Sequence, residues 1–184
     1  MNLYFRLILV LFLAFRRAKM TDILETGLLN FHVLPTDLDM NIHMNNGRYM
    51  TLMDLGRLDL IIRNGLIWLM IKRGYMPVLA SAKIRFRLPL PPFQAYRLET
   101  EVVCWDDKWV FMEQRFVITK GKKAGAIAAI AIVKGGFFDR KTKTTVPTPE
   151  LLSQLGMLQD SPPIPAHIIE WQRAEEALKT KTST

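Results

Sequence analysis

Residues 37–49 read Asp37-Leu38-Asp39-Met40-Asn41-Ile42-His43-Met44-Asn45-Asn46-Gly47-Arg48-Tyr49. This short stretch holds a carboxylate (Asp39), an amide (Asn41), an imidazole (His43) and two amides suited to capping a helix (Asn45, Asn46). A helical pattern follows from Gly47 to Arg63, with Gly65 as its stop. An acid/base group therefore stands just before the positive end of a helix, where backbone N–H groups are unpaired. The helix is apolar over most of its circumference, through Tyr49, Leu52, Met53, Leu55, Leu58, Leu60, Ile61 and Ile62. Such a helix is expected to be largely buried. Its charges come in opposite pairs at helical spacing, Asp54 with Arg57 and Asp59 with Arg63.

Upstream, Phe31 to Pro35 is a short strand candidate. Downstream, a second helical stretch (Ile67 to Arg73) gives way to strands: Pro77 to Leu88, Ala95 to Asp106, Trp109 to Thr119 and Ala124 to Phe138. The third alternates Val110, Met112, Gln114, Phe116 and Ile118 against Phe111, Glu113, Arg115, Val117 and Thr119. The last is small and apolar, suiting burial on both faces. Short turns (Asp106-Asp107, Lys120 to Lys123) join neighbours into an antiparallel meander. One long helix before several long strands predicts an α+β fold in which the sheet curls around the helix. Beyond Val146, Thr148-Pro149-Glu150 starts a helix, Ser161 to Pro165 is a rigid linker, and Ala166 to Leu178 is a helix expected to pack through Ile168, Ile169, Trp171 and Leu178.

The chain has 184 residues, 49% of them apolar, enough for one sizeable core with short extensions. The reading is a segment at 1–20, a folded domain at 21–146 and a helical extension at 147–184. The net charge of +8 is spread in small groups with no nucleic-acid motif, so nucleic acid is not expected as a partner. The single cysteine, Cys104, excludes an intrachain disulfide, suits a reducing, cytoplasmic setting, and reads as a buried inert thiol. His32, His43 and His167 lack ligand spacing, so neither metal nor cofactor is expected. Leu3 to Phe15 is apolar apart from Arg6 and is followed by Arg16-Arg17-Ala18-Lys19. It is too short for an ordinary membrane span, which needs roughly twenty residues. Two readings stand: a helix lying in a membrane interface, or an element docked on its own domain or a partner subunit.

The pattern Asp39, Asn41, His43, Asn45, Asn46, Tyr49 resembles that of the hotdog-fold acyl-CoA thioesterases, the 4-hydroxybenzoyl-CoA thioesterase-like group and the plant acyl-carrier-protein thioesterases. The resemblance is closer to the thioesterase-superfamily-member-6-like proteins. It runs through Val33 to Asp39, His43 to Tyr49, Pro77 to Ser81, Trp105 to Asp107, Glu113 to Phe116 and the tail around Trp171. It implies a hotdog fold, an antiparallel five- or six-stranded sheet wrapped around the long central helix. It also implies a homodimer or a tetramer of dimers, with active sites at the subunit interface.

The implied activity is hydrolysis of an acyl-CoA or acyl-carrier-protein thioester. Asp39 matches the working carboxylate, to activate water or to attack directly; Asn46 matches the amide that polarises the carbonyl; Asn41 and His43 match site residues of the plant enzymes. Backbone N–H groups at Asn45, Asn46 and Gly47 are candidate donors to the thioester oxygen. Tyr49 completes the matched pattern, and Lys120, Lys122 and Lys123 are candidates for the phosphates of coenzyme A. Asn45 and Asn46 also read simply as helix caps, and the lysines as a solvated turn. The chain departs from the plant pattern at Pro89, where those enzymes carry a catalytic glutamate. A second pattern in the superfamily places the carboxylate on the central helix; Asp54 is the candidate, and its spacing to Arg57 favours an ion pair. Met44, Met50, Met53, Met112, Phe111 and Phe116 suit an acyl pocket or an ordinary core. The alternative function is a hotdog protein that binds acyl thioesters or lipids at a membrane without turnover.

Overall fold

The apolar amino-terminal run forms helix α1 (Asn2–Arg16), and the capping amides introduce α2 (Asn46–Arg63). The computed structural model describes residues 2–182; Met1, Ser183 and Thr184, at the ends of the two expected extensions, lie outside the described residues. Strands β1 (Gly27–His32), β2 (Tyr75–Phe86), β3 (Ala95–Trp105), β4 (Val110–Ile118), β5 (Ile127–Asp139) and β6 (Thr144–Val146) form one antiparallel sheet. The order is β1-β3-β4-β5-β2, with β6 added to β5. Helices α3 (Leu66–Arg73), α4 (Thr148–Leu155) and α5 (Ala166–Thr182) complete the chain. This is the expected α+β architecture, with six strands.

Alternation decides which residues meet α2. Tyr96, Leu98, Thr100 and Val102 of β3, with Gln114, Phe116 and Ile118 of β4, are buried on the sheet's inner face. Against them α2 packs Tyr49, Leu52, Met53 and Leu55. Gly56 sets the closeness of the contact: a Cβ there would stand 2.4 Å from Thr100 Oγ1. The two expected ion pairs on α2 are present, Asp54 with Arg57 and Asp59 with Arg63. Asp59 is fully buried; desolvation pushes its carboxyl up, opposed by Arg63 and then Arg17.

The two edges of the sheet differ. Along β1, Arg6 donates to His32 O at 2.7 Å and Arg17 to Leu28 O at 3.0 Å, so two arginines reaching from α1 and its end cap that edge. β2 pairs only with β5, and its other side meets no strand among the described residues.

Some boundaries differ from expectation. The first strand begins at Gly27, paired with Thr100, and ends at His32; Pro35–Asp37 is a single 3-10 turn. The early residues were hidden because their burial alternates strictly, so half of them are exposed and read as loop. On α5 the expected packing is half right. Ile168 is buried against Cys104, Phe111 and Ile132, and Trp171 meets Phe111, but Ile169 and Leu178 are exposed. The i, i+3 step places Trp171 with Ile168, and Glu175 extends that face with a 3.0 Å bridge to Lys134; Ile169 lies a hundred degrees round.

Candidate active site

The stretch before α2 is a tight loop closed by backbone bonds. Asp39 N donates to His43 O at 3.0 Å, Ile42 N to Asp39 O at 3.1 Å, and Met44 N to Leu90 O at 2.9 Å. Closing so short a loop puts Ile42 in the left-handed region (φ 58), a conformation a β-branched residue rarely adopts. Its side chain and that of Met40 point into solvent. Local strain of this kind costs roughly 1–3 kcal/mol and collects at functional sites.

Two carboxylates two residues apart have opposite environments here. Asp37 is 1% exposed and fully engaged: its side chain meets Arg6 at 2.7 Å and accepts Leu34 N at 2.9 Å. Its carbonyl accepts Asn45 N at 2.8 Å. Asp39 is open to solvent on one side. Its Oδ1 accepts Asn41 N at 2.9 Å and lies 3.5 Å from His43 Nδ1, while Oδ2 has no hydrogen bond among the described residues. Asp37 is thus the anchor of the loop and Asp39 its free carboxylate. The Asn41 side chain is exposed, and the His43 ring also lies 3.4 Å from Met44 O.

At the helix start, Asn45 is the N-cap: its Oδ1 accepts Gly47 N at 2.8 Å and its carbonyl accepts Arg48 N at 2.9 Å. With Asn45 N also engaged, two of the three expected backbone donors are occupied. The N–H of Asn46 alone has no partner among the described residues, and its side chain is exposed. Tyr49 lies inward, 2% exposed, its ring against Phe86 and Phe116. Its phenol is pushed up to about 12, first by burial and then by the charge of Asp39, so it is neutral and near that carboxylate. Behind it the Tyr96 hydroxyl is buried without a hydrogen-bond partner among the described residues, in the field of Arg6 and Asp37. Lys120, Lys122 and Lys123 are exposed in the β4–β5 turn. That turn closes the same end of the sheet as the loop, tied there by Gln94 Nε2, which donates to Lys120 O at 2.9 Å. Pro89 is exposed beyond the end of β2, so no carboxylate stands where the plant pattern has its glutamate.

A cavity of about 360 Å³ lies at the other end of α2. It is lined mainly by apolar side chains, among them Leu58 and Ile61 of α2, Trp105 of β3, Met112 of β4 and Leu152 of α4. Val78 and Leu79 of the open β2 edge also reach it. None of residues 37–49 lines it. Asp54 and Arg57 are its charged members. Arg57 pairs with Asp54 and donates at 2.7 Å to Oε1 of the fully buried Gln114, whose Nε2 reaches Met53 O and Thr100 Oγ1, each at 3.0 Å. Desolvation lowers the Arg57 pKa and Asp54 opposes it. Of the six methionines and phenylalanines expected to suit an acyl pocket, only Met112 lines the cavity. Met44, Met53, Phe111 and Phe116 are core, and Met50 packs on the core's flank. Their high volume made them core fillers once the helix came within glycine distance of the sheet.

The sequence expectations missed Arg57 and Gln114 as a unit, and missed Arg6 with Asp37. Each had a signal. Gln114 is the one polar residue in the inward series of β4, and Arg6 the one charge in an apolar run.

A model of the thioesterase-like superfamily matches residues 33–172. Protein THEM6 of Xenopus laevis is 38% identical over 106 residues, covering 58% of this chain and 51% of that protein. The chain spans about half the length of the curated relatives it matches. Among solved structures, the YbaW probable thioesterase of Escherichia coli superposes with a TM-score of 0.65 at 20% identity, over 72% of this chain and 98% of that one. SAV2348 of Staphylococcus aureus, solved in complex with CoA, gives 0.58 at 13% identity over 80% and 92%. These likenesses confirm the fold as hotdog.

Proposed function

Since the chain belongs to the thioesterase-like superfamily, we propose that it hydrolyses an acyl thioester of coenzyme A to the free acid and the thiol. The observation that carries this is that one short loop leading into α2 holds both a carboxylate oxygen, on Asp39, and an N–H, on Asn46, that are unengaged among the described residues. The structural neighbour solved with CoA supports the carrier, and the apolar cavity supports an acyl rather than a small polar substituent.

Asp39 takes a proton from water as the oxygen attacks the thioester carbonyl. The negative charge forming on the carbonyl oxygen is met by the Asn46 N–H, its side-chain amide and the positive end of α2. Collapse breaks the carbon–sulfur bond, and the departing thiolate takes up the proton. Asn41 fixes the Asp39 carboxylate through its backbone, and His43 orients it and shuttles protons at the same oxygen. Lys120, Lys122 and Lys123 receive the phosphates.

Two copies pair along the open edge of β2, with the other edge closed by Arg6 and Arg17. Because Val78 and Leu79 of that edge also line the cavity, the partner would complete its wall. The protein works in the cytoplasm, peripheral to a membrane that α1 touches.

The test follows thiol release from acyl-CoAs, acetyl to palmitoyl and aromatic, for the wild type and Asp39→Asn. Turnover that peaks at one acyl class and collapses in the variant is expected. No turnover in either protein, with acyl-CoA binding retained, would replace the hydrolase by a non-catalytic binder.

A further inference from the structure

Helix α1 packs inward and still leaves an outer face of large apolar and aromatic side chains. Leu3, Leu7, Val10 and Ala14 face the domain. Arg6 is turned the same way and is 8% exposed. At 51–70% exposure, Tyr4, Phe5, Ile8, Leu9, Phe12 and Phe15 cover the opposite side. The helix cannot roll to hide them. Arg6 is held by Asp37 and His32 O at one end, and Arg17 by Leu28 O and Asp59 just past the other. Docking and exposure, which the sequence left as alternatives, are both present in the same helix.

A second element continues the face. On α3, Trp68 and Ile71 stand one helical step apart and are 60% and 68% exposed. The Trp68 ring lies 6.2 Å from that of Phe15, so the two helices present one surface. Exposed cations accompany both helices: Arg16, whose guanidinium lies 5.0 Å from the Phe12 ring, and Lys19 just past the end of α1, and Lys72 and Arg73 in the last turn of α3. No carboxylate occurs within α1 or α3.

We infer that α1 and α3 together form a docking surface for an anionic lipid bilayer. An apolar face rich in aromatic rings, accompanied by exposed cations, matches the boundary between acyl chains and acidic headgroups. The polar atoms this face carries are the Tyr4 hydroxyl and the Trp68 indole N–H, on ring types that favour a membrane–water boundary, and a protein partner would ask for a denser set of hydrogen-bonding groups. The inner face of α1 is packed on the domain, so the helix cannot leave it to enter the bilayer end-on, and no helix among the described residues is long and apolar enough to cross a membrane. The surface therefore lies on the bilayer. This rests on the peripheral membrane contact proposed above and deepens it: α3 and the lipid's charge are added, and the chemistry at Asp39 plays no part.

The 184-residue chain is floated with phosphatidylcholine vesicles, with and without phosphatidylserine. Binding to the anionic vesicles, weakened by salt, is expected. Phe5→Ser with Phe12→Ser, and separately Trp68→Ser with Ile71→Ser, should each lower partitioning at least tenfold, since each large side chain contributes roughly 1.5–3 kcal/mol on burial. Lys72→Gln with Arg73→Gln should lower it by about fivefold per cation on anionic vesicles only. All these positions are exposed, so unchanged melting curves confirm that folding is not the cause. Loss in the α1 variant with full binding in the α3 variant overturns the composite surface and leaves contact through α1 standing. Equal binding to both vesicle types overturns the anionic assignment. No vesicle binding at all, or variants that only change the oligomeric state, would overturn lipid as the occupant and the simpler contact with it.

Discussion

The two ends of α2 are built for different work. Its amino-terminal end meets an exposed polar loop with an open carboxylate and an open N–H; its far half lines an apolar cavity whose one charged pair is tied down. Asp39 and Asp54 embody the contrast. Both are acidic and partly exposed, yet Asp39 has no guanidinium partner and is held by a backbone N–H beside His43, while Asp54 is bound to Arg57 as the outer end of a chain running on to Gln114 and Thr100. From Asn46 to Asp54 the helix rises about 12 Å, roughly the reach of a medium-length acyl group. On the proposed function, one helix separates the bond that is cut from the group that is recognised, and the two can vary independently.

The largest expected effect tests the amino-terminal end. Asp39→Asn should lower kcat by about a hundredfold or more, the usual range for losing a general base, with the ranking of acyl groups unchanged. A changed ranking would mean that the two ends are not separate. Next comes the cavity. A Cβ at Gly135 would stand at ordinary contact, 3.4 Å, from Met112 and Val78, so Gly135→Val projects into the space. It should cut kcat/KM for the longest accepted chain by about tenfold and spare the shortest, as one methylene's worth of room does in apolar pockets. Arg57→Leu probes the tied-down charges. It leaves Gln114 Oε1 buried without its donor, at a cost of about 1–3 kcal/mol, visible as a fall of several degrees in Tm. Turnover surviving that fall would separate Arg57 from the chemistry; turnover abolished in a folded variant would move the working carboxylate toward Asp54. The smallest effect is a control beneath α5. The Cys104 thiol, buried and pushed up to about 11 by desolvation and then by Asp106, should resist alkylation at neutral pH until the protein unfolds. Fast labelling in the folded state would show that α5 lifts away.

The two ends were also unequally legible in the sequence. The loop could be read because its residues are contiguous and the cap, Asn45, announces the helix it starts. The inward face of β4 could be read because alternation is a local rule. The cavity could not, since its walls come from three helices (α2, α3 and α4) and four strands, brought together only by the curl of the sheet. The resemblance picked out Asp39, but nothing in the sequence showed why Asp37 is the one tied down. Their roles depend on Arg6, 31 residues before Asp37, which engages one and leaves the other.

Gly56 lines neither region, yet it sets how thick the layer between helix and sheet can be. The helix rests on the strands there like a hinge pin in a bearing with no clearance, and every wall of the cavity beyond is measured from that seat. One added carbon would raise the whole beam. Substrate range in such a protein could drift by substitutions at the fulcrum, with no residue that touches the substrate ever changing.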